Sequence, residues 1–121
     1  MASTFTKALL SASADGSAIK VAAAATPGTL AHAVGGTAGV IDEVWLYAVN
    51  TDAAADHVLT IEYGGPTAPD KQIPITIPKR SGLLLVVPGL PLLGGSGATV
   101  KAFADAANVI NLLGFVNRIT P

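Results

Sequence analysis

The chain has 121 residues, 50% hydrophobic and 12% charged, with a formal net charge of −1 and no cysteine. That length suits one domain of common size, and the lack of cysteine excludes both a disulfide framework and a Cys-based zinc site. The seven Lys and Arg are scattered apart from the Lys79-Arg80 pair, which leaves no basic stripe to displace counterions from nucleic acid, so direct nucleic-acid binding is not expected.

The opening Met1-Ala2-Ser3-Thr4-Phe5-Thr6-Lys7 lacks the basic region and sustained apolar stretch of a secretory signal, and it reads as the start of a mature cytoplasmic product. Strand-like runs follow at 5–13, 17–24, 29–34, 40–50, 57–63, 71–77, 82–87, 98–104 and 108–119. Between them stand turn signals at Asp15-Gly16, Pro27-Gly28, Gly35-Gly36, Gly64-Gly65-Pro66, Ser81-Gly82, Pro88-Gly89 and Gly94-Gly95-Ser96-Gly97. The alanine-rich stretches 21–25 and 102–107 suit a helix by propensity. Their Thr, Val and Gly flanks, without leucines spaced at three and four residues, favour strand and loop. The pattern predicts one all-β domain over 1–121, an antiparallel β-sandwich, jelly-roll-like, of eight or nine short strands. A small barrel shares nearly the same pattern.

Three runs are especially informative. In Leu59-Thr60-Ile61-Glu62-Tyr63 the odd positions are apolar and the even ones polar, the mark of a half-buried strand. Ile73-Pro74-Ile75-Thr76-Ile77 repeats the pattern, but Pro74 cannot donate to a ladder and belongs on an edge or at a bulge. In Val44-Trp45-Leu46-Tyr47-Ala48-Val49 both alternating sets are apolar, which predicts burial on both faces and a place at the centre of the fold. The linker Asn50–Asp56 suits a hairpin tip, with one helical turn as the alternative, and Asp105-Ala106-Ala107-Asn108 suits a hairpin turn. Residues 83–93 form the most apolar stretch, about half the roughly 20 residues of a membrane-spanning helix and broken by Pro88 and Pro91. No membrane span is expected.

No catalytic constellation emerges. His32 and His57 are the only histidines and fall on different strands. His57 sits beside Asp56 and near Asp52, where a small cluster of oxygen and nitrogen ligands can be drawn, but a surface or structural role is the simpler reading. Asp42 and Glu43 are adjacent, so on a strand they point to opposite faces and cannot pair as general acid and base; a solvated or interface pair is expected. Gly94-Gly95-Ser96-Gly97 could offer amides to an anion, but it lacks the Lys-Ser/Thr and helix that follow a phosphate loop, and a strand connection is preferred. Trp45 and Tyr47 share a strand face, and with Tyr63 they could form a sugar-stacking platform; with only six aromatics in the chain, core or interface is preferred. Asn111, Asn117 and Arg118 place polar groups on a strand otherwise suited to packing, where they could bond a neighbouring loop or subunit. Catalytic, cofactor and metal residues are not assigned.

The charge deficit carries further. Soluble monomers carry roughly 25% charged residues, so the 12% here implies surface covered by another subunit. Trp45, Tyr47, Leu83, Leu85, Leu90, Leu92 and Leu93 are the candidate interface, since charge is depleted at interface centres.

The Pro27-Gly28-Thr29 turn, the run 40–50 with its short loop into 58–63, and the closing segments 97–104 and 108–119 together resemble a class of tailed-bacteriophage virion proteins: small β-sandwiches that serve as capsid decoration or cement proteins and as related head and tail accessories. The resemblance covers about three-quarters of the chain and rests on strand order and composition. It implies a non-enzymatic virion protein on the capsid exterior, made in the host cytoplasm and binding the major capsid protein lattice without a cofactor. With closed cyclic assembly as the default, a homotrimer would match local threefold positions. The alternatives are a neck, tail or fibre-base component and, from another class, a carbohydrate-binding module for host attachment.

Overall fold

Alternating apolar residues cut every few positions by Gly and Pro fold into strands rather than helices. A computed structural model describes residues 3–121; Met1 and Ala2 of the opening segment lie outside the described residues. Nine strands are formed: β1 (Thr4–Leu9), β2 (Ile19–Lys20), β3 (Thr29–Ala33), β4 (Ile41–Asn50), β5 (His57–Tyr63), β6 (Gln72–Ile77), β7 (Leu84–Leu93), β8 (Thr99–Ala104) and β9 (Ile110–Thr120). No helix occurs among the described residues.

The strands make two antiparallel sheets packed face to face. The first runs β1-β9-β4-β7, with β2 also pairing β9, and the second runs β3-β8-β5-β6. This is jelly-roll order. Among the described residues, β5 and β6 are the only consecutive strands that pair. Segments 50–56 and 105–108 are therefore crossovers between sheets, not the hairpins expected. Both flanks of β4 are taken by β9 and β7, so the chain leaving it must change sheets. A short polar loop spans the roughly 10 Å between sheets as readily as the roughly 5 Å between strands, so the local sequence does not distinguish the two.

The core lies between the sheets. Val44, Leu46 and Ala48 of β4 with Leu112 and Val116 of β9 face Leu59 and Ile61 of β5 and Val100, Ala102 and Ala104 of β8, all fully buried. The alternation read in β5 holds for Leu59, Thr60 and Ile61, but Glu62, expected on the wetter face, is fully buried, because the loop bearing Thr26 and Gly28 covers it. Pro74 falls on β6, an outer strand of its sheet, where a missing donor breaks no ladder.

Three predicted runs change length. The run at 5–13 stops at Leu9, beyond which the Ser13 N–H turns back to the Leu10 carbonyl. The run at 17–24 shrinks to Ile19–Lys20, because the chain beyond it crosses to the second sheet, where Gly28 lies against the Ala102 backbone. A Cβ on Gly28 would stand 2.6 Å from the Ala102 carbonyl. The run at 82–87 grows through Pro88-Gly89 to Leu93. The turn expected there is a bulge: Trp45 faces Pro88 and Val44 faces Leu90, leaving Gly89 extra, at φ +75. The sheet-edge position of β7 makes Pro88 and Pro91 tolerable.

Candidate functional site

The even residues of β4, Asp42 to Asn50, are buried and the odd ones, Ile41 to Val49, are half-buried. Burial on both faces, expected for 44–49, is thus only half realised. The odd face looks away from the second sheet and is shielded by its cross-strand neighbours.

The pairing registers order this outer face into rows across the sheet. Phe5, Ile119, Ile41 and Leu93 stand side by side on β1, β9, β4 and β7. Two residues along comes a polar row, Lys7, Asn117 and Glu43, ending at Pro91. Leu9, Phe115, Trp45 and Pro88 form the next row, then Leu113, Tyr47 and Leu85. Three of these four rows are apolar. Phe5 is 70% exposed, Leu93 54%, Leu9 50% and Leu85 48%, all on the outer strands β1 and β7, while Ile41, Trp45, Tyr47, Leu113, Phe115 and Ile119 between them are half-buried. Contiguous apolar exposure on this scale marks an interaction surface.

The face is well ordered by its own contacts. Trp45 and Phe115 stack with centroids 6.1 Å apart and planes 9° from parallel. The Lys7 ammonium stands 4.6 Å from the Phe115 centroid, a cation–π contact. The indole N–H of Trp45 donates to Glu43 Oε1 at 2.8 Å, and the Asn117 amide donates to the same oxygen at 3.2 Å. These bonds hold the Glu43 carboxyl below its ordinary value. Gly89 packs on the indole, where a Cβ would approach Cζ2 to 2.7 Å.

Of the seven candidate interface residues, Trp45, Tyr47, Leu85 and Leu93 are brought together on this face. Leu92 pairs with Asp42 and packs against the core, Leu90 pairs with Val44 at the sheet edge, and Leu83 precedes β7. Sequence reasoning missed Phe5, Leu9, Ile41, Leu113, Phe115 and Ile119. Their period-two spacing was legible, but the face they occupy was not. The platform imagined with Tyr63 does not form, since that residue belongs to β5 of the other sheet and its hydroxyl donates to the Leu90 carbonyl at 2.6 Å.

Polar groups beneath and beside the sheets are tied down. Asp42 is buried rather than solvated: Arg118 Nε donates to its Oδ1 at 2.8 Å and His32 Nε2 donates to its Oδ2 at 2.8 Å. The Ser11 N–H donates to His32 Nδ1 at 3.0 Å, which assigns the ring hydrogen to Nε2. Arg118 and Asn117 thus bond β4 of their own chain. Glu62, fully buried on the second sheet, accepts from the Gly28 N–H at 2.6 Å and from the Thr26 hydroxyl, pinning the loop above it. Gly94 and Gly95 spend their N–H groups on the Val40 and Gly35 carbonyls, so they offer no amides to an anion.

His57 gathers Asp52 and Asp105 rather than its neighbour Asp56. Its Nδ1 lies 2.6 Å from Asp105 Oδ1 and its Nε2 2.8 Å from Asp52 Oδ2. Ionised carboxylates only accept, so both ring nitrogens carry hydrogens and the ring is an imidazolium clasping the two crossovers at one end of the sandwich. The hydrogen bonds to Asp52 and then Asp105 raise the His57 value above 6.5. The clasp's stabilisation is therefore complete below about pH 6.5 and is lost as pH rises through the raised folded-state value. Both carboxyls are held below 3.8: Asp52 by its bond to His57, Asp105 despite burial, by the Val58 N–H and His57. Their contribution is complete above about pH 3.8 and is lost on further acidification. Urea unfolding at pH 5.5 and pH 8.5 is expected to show a smaller gap for His57→Gln than for the wild type; equal gaps would exclude the clasp.

A cavity of about 270 Å³ opens near Gly35, Thr37, Val40, Gly94, Arg118 and Thr120. Neither histidine lines it. Among the described residues no group of three His, Cys, Asp or Glu side chains could hold a metal ion. No protein-family model, curated protein or solved structure matches the chain. The outer sheet face is the candidate site.

Proposed function

We propose that the chain is a non-enzymatic structural subunit of a tailed-phage virion, of the capsid decoration type, which self-associates and binds the major capsid protein lattice to stabilise the head. The observation that carries this reading is the outer face of β1-β9-β4-β7, apolar in three rows of four, with Phe5, Leu93, Leu9 and Leu85 48–70% exposed. Such a face gains most of its free energy when another protein surface covers it. The jelly roll adds support by analogy, since capsid domains recur in that architecture. An assembled subunit attaches to a repeating lattice at several points, so modest contacts combine into firm binding.

The carbohydrate-binding reading is less favoured. Trp45 has its N–H committed to Glu43, with Phe115 and Gly89 packed on its ring, whereas sugar stacking requires a free ring beside unspent polar groups.

Cryo-electron microscopy of the particles containing this chain tests the proposal. Repeated density over the head lattice is expected. Density confined to the neck, tail or fibres would replace the decoration role with another structural one, and absence from particles would overturn both.

A further inference from the structure

We propose that the occupant of the outer sheet face is a second copy of this chain, related by a two-fold axis that runs along β9. The inference rests on the assembly reading above and names its partner and geometry.

The argument comes from the row pattern. Sheets pack face to face with strands nearly aligned and about 10 Å apart. A two-fold axis along the central β9 keeps each row at its own level and reverses its order across the strands. The polar row Lys7–Asn117–Glu43 then meets its own reverse. Lys7 stands opposite Glu43 of the second copy, Asn117 opposite itself, and the contact occurs twice, as an isologous interface requires. By the same operation, Phe5–Ile119–Ile41 meets its own reverse, and Leu9–Phe115–Trp45 does likewise, while β7 lies outside the overlap. Apolar rows cover apolar rows and the two opposite charges cover each other. An axis laid across the strands would set Lys7 on Lys7 and Glu43 on Glu43, and would leave no pair satisfied.

The charged groups are suited to this use. Glu43 spends Oε1 on Trp45 and Asn117, while Oε2 makes no hydrogen bond among the described residues. Lys7 is exposed and rests on Phe115 without an ion pair among the described residues. The hydrogen bonds on one side and the aromatic ring on the other hold both groups in place before association, which lowers the cost of ordering them. Three strands by four alternate rows span on the order of 400 Å² per copy, about 800 Å² in all, the size of a weak, reversible contact. A dissociation constant in the micromolar range or weaker is expected rather than an obligate dimer.

Charge reversal tests the register directly. Sedimentation equilibrium of the wild type at about 100 μM should give twice the chain mass. Lys7→Glu and Glu43→Lys should each weaken association by about tenfold or more, because each sets like charges together. The double variant should recover it, and an equimolar mixture of the two single variants should form mixed dimers. Far-UV circular dichroism and a cooperative thermal transition check that each variant folds. Phe5→Ser, at a side chain 70% exposed, should abolish pairing without unfolding the subunit. A monomeric or trimeric wild type, or no recovery in the double variant, would overturn the two-fold pairing. Co-sedimentation with empty heads separates this from the virion reading: a monomer that still binds heads defeats only the pairing, and a dimer that does not bind them defeats only the virion role.

Discussion

Asp42→Ala is expected to destabilise the fold by about 3–5 kcal/mol, the range for breaking a buried ion pair from one side. The carboxylate faces inward beside Leu92 and holds two groups from distant segments, His32 and Arg118, at 2.8 Å each. Without it His32, 1% exposed, retains a buried N–H with no acceptor. Arg118 is less affected, since its side chain is 39% exposed and can turn toward water, which places the effect at the lower end of the range. Burial alone would raise the Asp42 carboxyl, but the hydrogen bonds from Arg118 and His32 outweigh it and hold the group below 3.8. The Asp42 contribution is therefore complete above about pH 3.8 and lost as pH falls through the lowered folded-state value. Urea unfolding at pH 7 measures the effect. A loss below about 1 kcal/mol would show that the triad adds little beyond its own desolvation cost.

Gly114→Ala is expected to cost about 3 kcal/mol or more, through backbone collision rather than lost contacts. Gly114 lies on β9 opposite Leu46 at the middle of the first sheet. A Cβ there would stand 2.1 Å from the Trp45 carbonyl oxygen and 3.1 Å from the Leu46 Cα. Neither atom belongs to a side chain that can rotate away, so β9 and β4 would have to part where their pairing is longest. Trp45 would shift with its carbonyl, and the outer face would lose its register as well. Gly36→Ala is the control: nothing lies within 4 Å of its added Cβ, and a change within about 0.5 kcal/mol is expected. Thermal unfolding of both variants compares them directly, and equal transition temperatures would refute the close approach at Gly114.

Local features were legible because their physics is local. Pro74 reads as an edge residue from its missing N–H alone, and the period-two alternation in β5 needs only the pleat. Gly89 shows the limit: Pro88-Gly89 is a turn signal by composition, yet β7 continues through it as a bulge, because β4 was already there to pair with the residues on either side. Asp42 and Glu43 were correctly set on opposite faces, but the buried side could not be assigned. That depended on His32, ten residues away, and Arg118, seventy-six away. Asp105 was likewise invisible as a partner of His57, at a separation of forty-eight residues.

From its residues alone, then, the chain determined that it would be all-β, with eight or nine strands, most of them near the places they occupy, an apolar centre at 44–49 and little charge. Only the tertiary structure decided that consecutive strands, β1–β2 and β5–β6 apart, lie in different sheets, that Asp42 is enclosed, and that Phe5, Leu9, Trp45, Phe115 and Leu93 share one outer face. Alternation states that a strand has two faces. Which face turns to the core, and which strands stand beside it, is chosen by burial summed over all nine strands at once.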